Sequence, residues 1–318
     1  MMLAATIEYG KVVPREHPTP QPGTGEVLVR VRAAGLNGAD IMQRSGHYPP
    51  PPGAPLDIPG LELAGEVAEC GPVAERFELG DRVMGIVGGG GQAEFAVVNE
   101  RTLMAVPANL DWPAAGGVPE VFTTAHDALF SQCGLLAGER LLVQGGAGGV
   151  GTAAIGLAVA AGARVHATVR SAALHEAVGA LGATVSAPED FLEYGPFDVI
   201  LELVGAPNLA DNLDALAPEG RIVVIGLSAG AQAQLDLRVL MGKRARICGS
   251  MLRSRTLEEK ALTARRMERS VLPLLAAGSV TVPVAATFPL AEVGAAYERF
   301  TAGGKLGKIV LVMEPPPS

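Results

Sequence analysis

The chain has 318 residues, 48% of them hydrophobic, enough for about two domains with substantial cores. Its net charge of −8 and sequence pI of about 5.2 argue against a nucleic-acid backbone or an anionic membrane as partner. Three scattered cysteines, Cys70, Cys133 and Cys248, match no disulfide or zinc spacing, and the N-terminus has no basic region followed by an apolar core. A reducing, cytoplasmic setting without a membrane span is the expectation.

From Met2 to about Val106 the apolar runs are short and separated by Pro and Gly: LAATIE, EVLVRVRAAG, LAGEVAECG, DRVMGIVG and QAEFAVVN. This pattern predicts a compact all-β domain, a distorted barrel. One helix, Asn37 to Arg44, interrupts it, and the prolines Pro49 to Pro52 stiffen the loop that follows. Asp111 is placed to cap a helix starting at Trp112 and Pro113, and a second helical run is expected over Phe122 to Cys133.

Then comes LLVQGGAGGVGTAAIGLAVAAG, from Leu141 to Gly162, which reads as strand, tight turn and helix. Five glycines lie between Gly145 and Gly151. Gly146 permits backbone angles closed to other residues, and Gly148 and Gly149 remove the Cβ atoms that would hold an anion away. The helix start adds free N–H groups and the positive end of its dipole, a seat for phosphate. With the strand RVHATV from Arg164, the stretch completes a βαβ unit for a dinucleotide.

Strands and helices alternate onward through ATVS, FDVILELVG, GRIVVIGL and ARICGSM. Nearly wholly apolar strands in this order predict a doubly wound parallel sheet covered on both faces. Thr256 to Gly278 reads as an amphipathic helix broken at Pro273, and PVAATFPL, AEVGAAYERFTAG and KIVLVM no longer keep the alternation. The expectation is a cofactor domain inserted within the other one, with a cleft between them: residues 1–121, then 122–253, then a return over 254–318.

The residue after the second strand separates the two nicotinamide nucleotides. Here Arg170 and then Ser171 follow RVHATV, with no acidic side chain before Glu176. A guanidinium fork and a hydroxyl suit a 2′-phosphate, so NADPH is expected over NADH. His175 is expected on the helix surface.

GLNGADIMQRSGHYPPPPGAP, PGLELAGEV, GGGGQAEF, PEVFTTAHDAL, LVQGGAGGVGTAAI, LRSR and the terminal GKIVL together resemble the zinc-free, zeta-crystallin-like quinone oxidoreductases of the medium-chain dehydrogenase/reductase superfamily. Their branch containing the tumour-suppressor-inducible NADPH:quinone oxidoreductase is the most similar. The resemblance spans nearly the whole chain. It implies a Rossmann domain inserted in a GroES-like β-barrel, NADPH as cofactor, a homodimer and quinone as the small-molecule substrate. It also implies no metal: where alcohol-dehydrogenase members carry a zinc-binding Cys and His, this chain has Asn37 and Leu61.

Carried over from the family, Asn37 and Tyr48 face the nicotinamide and the acceptor, Tyr48 donating a hydrogen bond to a quinone oxygen. Thr124 lies on the nicotinamide side, and Gly148, Gly149 and Val150 hold pyrophosphate. Val204, Gly205, Gly226, Leu227 and Ser228 sit at strand ends, and Leu252 and Arg253 lie in the segment that closes over the site. The chain departs from many members at Arg170, Leu174, Ser186 and Gly148. Two other functions stay open at this stage. One is NADPH-dependent reduction of activated C=C bonds, as in 2-enals or enoyl thioesters, and the other is a non-catalytic NADPH-binding structural or regulatory role.

Overall fold

In the computed structural model residues 1–313 are described; residues 314–318, the end of the expected returning segment, lie outside the described residues. The chain opens with an antiparallel hairpin, β1 (Met2–Glu8) and β2 (Lys11–His17). It continues through β3 (Glu26–Gly35), α1 (Gly38–Arg44), β4 (Glu62–Cys70), β5 (Arg82–Ile86), β6 (Phe95–Asn99) and β7 (Leu103–Ala105). β3 is the spine of this lobe. It pairs along one edge with β4, and along the other first with β6 over Glu26–Arg30 and then with the last strand of the chain over Ala33–Gly35. Its inward residues Val27, Val29 and Val31 are buried with Leu63, Val67 and Val98, the apolar alternation that the sequence displays.

Two helices lead out of the barrel. α2 (Trp112–Gly117) is capped by the Asp111 carboxylate, which accepts the Ala114 N–H at 2.9 Å, with Pro113 in the first turn where its missing N–H costs nothing. α3 (Pro119–His126) does not run on to Cys133 as one α-helix. It widens into a π-helical turn over Asp127–Gln132, which places the Asp127 carboxylate 2.6 Å from Arg255 and 2.7 Å from the Ser250 hydroxyl. A tertiary ion pair thus accompanies a local pattern that spacing alone did not reveal.

The alternating half follows: β8 (Arg140–Gln144), α4 (Gly149–Ala160), β9 (Arg164–Thr168), α5 (His175–Gly179), β10 (Thr184–Ser186), β11 (Phe197–Glu202), α6 (Leu209–Asp214), β12 (Leu216–Val224), α7 (Leu237–Lys243) and β13 (Arg246–Gly249). All pairings among its strands are parallel, in the order β10-β9-β8-β11-β12-β13. This is the doubly wound order expected from the alternation. The direction of winding reverses between β8 and β11, and the crevice beyond their C-terminal ends is where ligands sit in such sheets. Leu141, Leu142, Val143, Val199, Ile200 and Leu201 are fully buried, as strands covered on both faces must be. Truncating one of them to Ala would cost about 2–5 kcal/mol.

α8 (Leu257–Ser270) opens with a capping box between Thr256 and Glu259, and α9 (Leu272–Ala276) carries Pro273 in its first turn. The chain then rejoins the barrel sheet through β14 (Val284–Pro289), α10 (Val293–Thr301) and β15 (Lys308–Val312), β15 pairing antiparallel with β3. The parallel sheet is therefore inserted between two parts of the barrel lobe. Among the described residues no helix is long and apolar enough to cross a membrane.

Candidate active site

The turn between β8 and α4 is shaped by what its glycines must avoid. A Cβ at Gly151 would lie 2.5 Å from the Gly145 carbonyl oxygen, so this helix can approach its own strand only with hydrogen at that position. At Gly149 a Cβ would meet Lys308 Cδ and Val121 Cγ1, each at 2.8 Å. Gly148 caps α4 without a side chain, and the first bond inside the helix is from the Thr152 N–H to the Gly148 carbonyl at 2.9 Å. The amides of Val150 and Gly151 consequently have no partner among the described residues, while Gly149 is drawn toward the Gly307 carbonyl by the parallel bridge between Gly148 and Gly307. There is no acidic side chain in the first turn, so the positive helix end is left for an external anion.

A chain of buried polar groups braces this turn from below. The Thr168 hydroxyl donates to Gln144 Oε1 at 2.7 Å, and Gln144 Nε2 donates to Asn212 Oδ1 at 2.8 Å. Asn212 Nδ2 in turn donates to Glu202 Oε2 at 2.7 Å, and the other oxygen of Glu202 accepts the Gly205 N–H at 2.8 Å. The ends of β9, β8 and β11 are thereby locked in relation to one another. Val204, Gly205, Gly226, Leu227 and Ser228 all lie on this C-terminal edge; the Gly226 N–H bonds the Glu202 carbonyl, and the Ala229 N–H and Ser228 hydroxyl bond the Val204 carbonyl.

Beyond β9, Arg170 is exposed and makes no hydrogen bond or ion pair among the described residues, and Ser171 beside it uses its hydroxyl in no cap. His175 is half-buried, its Nε2 2.8 Å from the Val169 carbonyl, so the ring lies under the loop that carries Arg170. Ser186 is taken up internally: its hydroxyl is 2.9 Å from His166 Nε2. Burial, followed by the nearby Arg140, pushes that imidazole down to about 4.

The opposite wall belongs to the barrel. Lys308 is 2% exposed, and its ammonium donates to Leu36 O at 2.8 Å, Asn37 Oδ1 at 2.6 Å and Glu62 Oε1 at 2.6 Å. All three of its protons are used. Asn37 Nδ2 donates to the same Glu62 oxygen at 2.9 Å, and the other oxygen of Glu62 accepts the Glu120 N–H at 2.8 Å. Asn37 therefore precedes α1 with its amide turned into the Glu62–Lys308 pair. Asp40, fully buried on the first turn of α1, accepts the N–H groups of Asn37 at 2.8 Å and Gly60 at 3.1 Å. Burial raises its carboxyl to about 7, against the pull of those N–H groups and Lys308.

Tyr48 stands in the proline loop, half-buried, with Arg253 over its ring at 4.9 Å from the centroid. The Arg253 guanidinium, reaching across from beyond β13, donates to Tyr48 O at 2.8 Å, Gly88 O at 2.8 Å and Gln43 Oε1 at 2.7 Å. Leu252 beside it is buried. The Tyr48 hydroxyl has no partner among the described residues, and burial, then Glu120, raises its pKa while Arg253 opposes.

Glu120 and Thr124, four residues apart, share one face of α3. Burial, then Glu62, lifts the Glu120 carboxyl to about 8, with Lys308 opposing. Its place in the first turn of α3 favours the charged form by only about 0.3–1 kcal/mol, less than one pH unit is worth. Lys308, Glu62, Glu120 and the Glu202 brace are absent from the site that spacing suggested. Their signal in the sequence was present but quiet: a charged residue inside an otherwise apolar strand, as in FDVILE and KIVLV.

Known proteins share this architecture. Residues 23–108 match the family model described as alcohol dehydrogenase GroES-like domain, and residues 149–266 the one described as zinc-binding dehydrogenase. A quinone oxidoreductase of Homo sapiens is 30% identical over 306 residues, 92% of this chain and 91% of that protein. One of Rattus norvegicus is 32% identical over 308 residues, 92% and 91% of the two chains. The crystal structure of an alcohol dehydrogenase superfamily protein from Novosphingobium aromaticivorans superposes with a TM-score of 0.85 at 33% identity, covering 99% of this chain and 100% of the other.

Proposed function

Because the chain belongs to the medium-chain dehydrogenase/reductase family, with quinone oxidoreductases among its relatives, we propose that it is an NADPH-dependent quinone reductase working without a metal ion. The observation that carries this reading is the uncapped start of α4. Two amides without partners, those of Val150 and Gly151, stand at the bend of a strand–turn–helix unit, beside the buried Asn37, Glu62 and Lys308.

These residues fit a dinucleotide. The amides of Val150 and Gly151 would hold its pyrophosphate, with Gly148 and Gly149 beside them, and Arg170 with Ser171 would meet a 2′-phosphate. The expectation for Gly146 is corrected: the left-handed residue of the turn is Gly145 (φ 88°), the Gly148 N–H is taken by the Gly145 carbonyl, and the Cβ missing from Gly146 makes room for Ala167 inside the domain. Thr124 and the strand-end residues Val204, Gly205, Gly226, Leu227 and Ser228 would line the nicotinamide half, with Leu252 and Arg253 closing over it. When bound, the reduced nicotinamide supplies the hydride. The protein's own contribution is orientation and charge. Asn37, fixed on both sides, forms an immobile polar wall, and the free hydroxyl of Tyr48 donates a hydrogen bond to a quinone oxygen as negative charge builds there. Arg253 holds Tyr48 in place through its ring and its carbonyl.

Zinc, which the description of the second matched family names, finds no fitting donor set. Glu62 is committed to Lys308, and among the described residues no three His, Cys, Asp or Glu side chains gather in a metal-holding group. An electron-poor acceptor whose reduced form is aromatic needs no Lewis acid, which is why quinones suit the site.

Mixing the protein with NADPH or NADH and, separately, 1,2-naphthoquinone, 1,4-benzoquinone and a 2-alkenal tests the proposal through loss of the reduced cofactor's absorbance. Quinones are expected to be consumed fastest, with NADPH preferred. Faster turnover of the alkenal would move the function to C=C reduction, and tight NADPH binding with no turnover would make this a binding protein.

A further inference from the structure

Reduction of a quinone to a hydroquinone consumes one hydride and one proton, and none of the roles assigned above supplies the proton. The geometry points to the Glu120 carboxyl as that source: a catalytic acid that touches the acceptor and hands it a proton from the floor of the cleft. This inference rests on the quinone-reductase reading.

Four observations place Glu120 there. Its main-chain N–H is pinned to Glu62 Oε2 at 2.8 Å, which fixes the start of α3 against the buried Glu62–Lys308 pair. Its carboxyl, by contrast, makes no hydrogen bond or ion pair among the described residues, although Lys308 and Arg253 are both close enough to act on it electrostatically. Val121, the next residue, packs within 2.8 Å of where a Gly149 Cβ would stand, so the first turn of α3 borders the turn proposed for the nucleotide. Finally, the Glu120 N–H, the Asn37 amide and the Lys308 ammonium all converge on the Glu62 carboxylate, so Glu120 stands beside the side chain proposed to face the nicotinamide and the acceptor.

The chemistry of the surroundings favours a neutral carboxyl. Glu62 and Asp40 present negative charge, Lys308 and Arg253 positive charge, and Tyr48 a neutral hydroxyl. Burial dominates, lifting Glu120 to about 8, so that it carries its proton at neutral pH and can release it there. A phenol raised from its ordinary value near 10 is a poorer proton source at the same pH and is suited to donate a hydrogen bond only.

In the step itself, a bound reduced nicotinamide would supply a hydrogen with its electron pair to the quinone. The quinone is thereby reduced and the nucleotide oxidised. The O–H bond of Glu120 breaks, its proton joining the remaining quinone oxygen to complete the hydroquinone. The carboxylate left behind regains a proton from solvent before the next turnover.

The test compares the wild type with Glu120→Gln and Glu120→Asp using NADPH and 1,4-benzoquinone, alongside NADPH affinity by fluorescence and the infrared band of protonated carboxyls. In the wild type, kcat should fall as pH rises through about 8. Glu120→Gln should bind NADPH as tightly, lose about 10²-fold in kcat and lose that alkaline limb. It should also lack an infrared carboxyl band present in the wild type at pH 7 without any ligand. Glu120→Asp should restore part of the rate together with the limb. Glu120→Gln with wild-type kcat and an unchanged limb, or a wild type without the infrared band, would overturn the inference while leaving the reductase standing. A wild type inert toward every quinone would overturn both.

Discussion

Replacing Lys308 by Met offers a sharp test of how the two lobes are joined. The methionine keeps most of the aliphatic stem that fills the space beside Gly149 and removes only the ammonium. That ammonium is 2% exposed, is 2.6 Å from a fully buried Glu62 carboxylate, and also bonds Leu36 O and Asn37 Oδ1. Removing one partner of a buried pair typically costs about 3–5 kcal/mol, because the other charge is left uncompensated. Glu62 retains the Asn37 amide and the Glu120 N–H, so the lower end, about 3 kcal/mol, is expected. At about 2–4 °C per kcal/mol this predicts a fall in melting temperature of about 6–12 °C, measured by circular dichroism. The double variant Lys308→Met, Glu62→Leu should regain a large part of the loss, since an apolar pair of similar volume replaces the charges together. A Lys308→Met protein melting within about 1 °C of the wild type, or a double variant less stable than either single one, would refute this account.

Arg170→Ala should weaken NADPH binding by about tenfold to a hundredfold, the range for charge-assisted hydrogen bonds, and leave NADH nearly unaffected; equal losses in calorimetric titrations would remove Arg170 from the 2′-phosphate. Tyr48→Phe should lower quinone kcat by about tenfold or more with KM little changed, because the hydrogen bond strengthens only as charge develops; unchanged kinetics would return Tyr48 to a packing role. Stability should also fall with rising pH between about 6.5 and 8. Asp40, raised from 3.8 to about 7, and Glu120, raised from 4.5 to about 8, bind more protons folded than unfolded across this window, each with a slope of at most about 1.4 kcal/mol per pH unit. Below 6.5 the buried His166, lowered to about 4, acts in the opposite sense. Melting temperatures that stay level or climb across the window, or that fall just as steeply in Glu120→Gln, would contradict the assignment.

The glycine turn, the alternating strands and the Asp111 cap were legible because each rests on residues close together in the chain. The break at Pro273 was legible for the same reason: a proline without an N–H begins a helix more readily than it continues one. The polar heart of the site was not. Lys308 meets Glu62 across 246 positions, and no local pattern encodes a contact of that separation. Asn37 illustrates the gap in between. Its sequence position suited either a helix cap or a group facing a ligand; it does stand at the N-cap of α1, its N–H bonded to Asp40, while its side-chain amide is held by Glu62 and Lys308. The widened turn after His126 escaped notice because Asp127 answers to Arg255, far along the chain, rather than to its neighbours.

The Gly307 N–H bonds the Ala147 carbonyl at 2.9 Å, and Lys308 follows directly. A nascent polypeptide that has left the ribosome only as far as β13 would contain the whole parallel sheet, yet the turn after β8 would lack its brace and Glu62 its counter-charge. The turn proposed to cradle the nucleotide would thus set last, after its own scaffold, once the late-emerging strand has threaded back to the barrel.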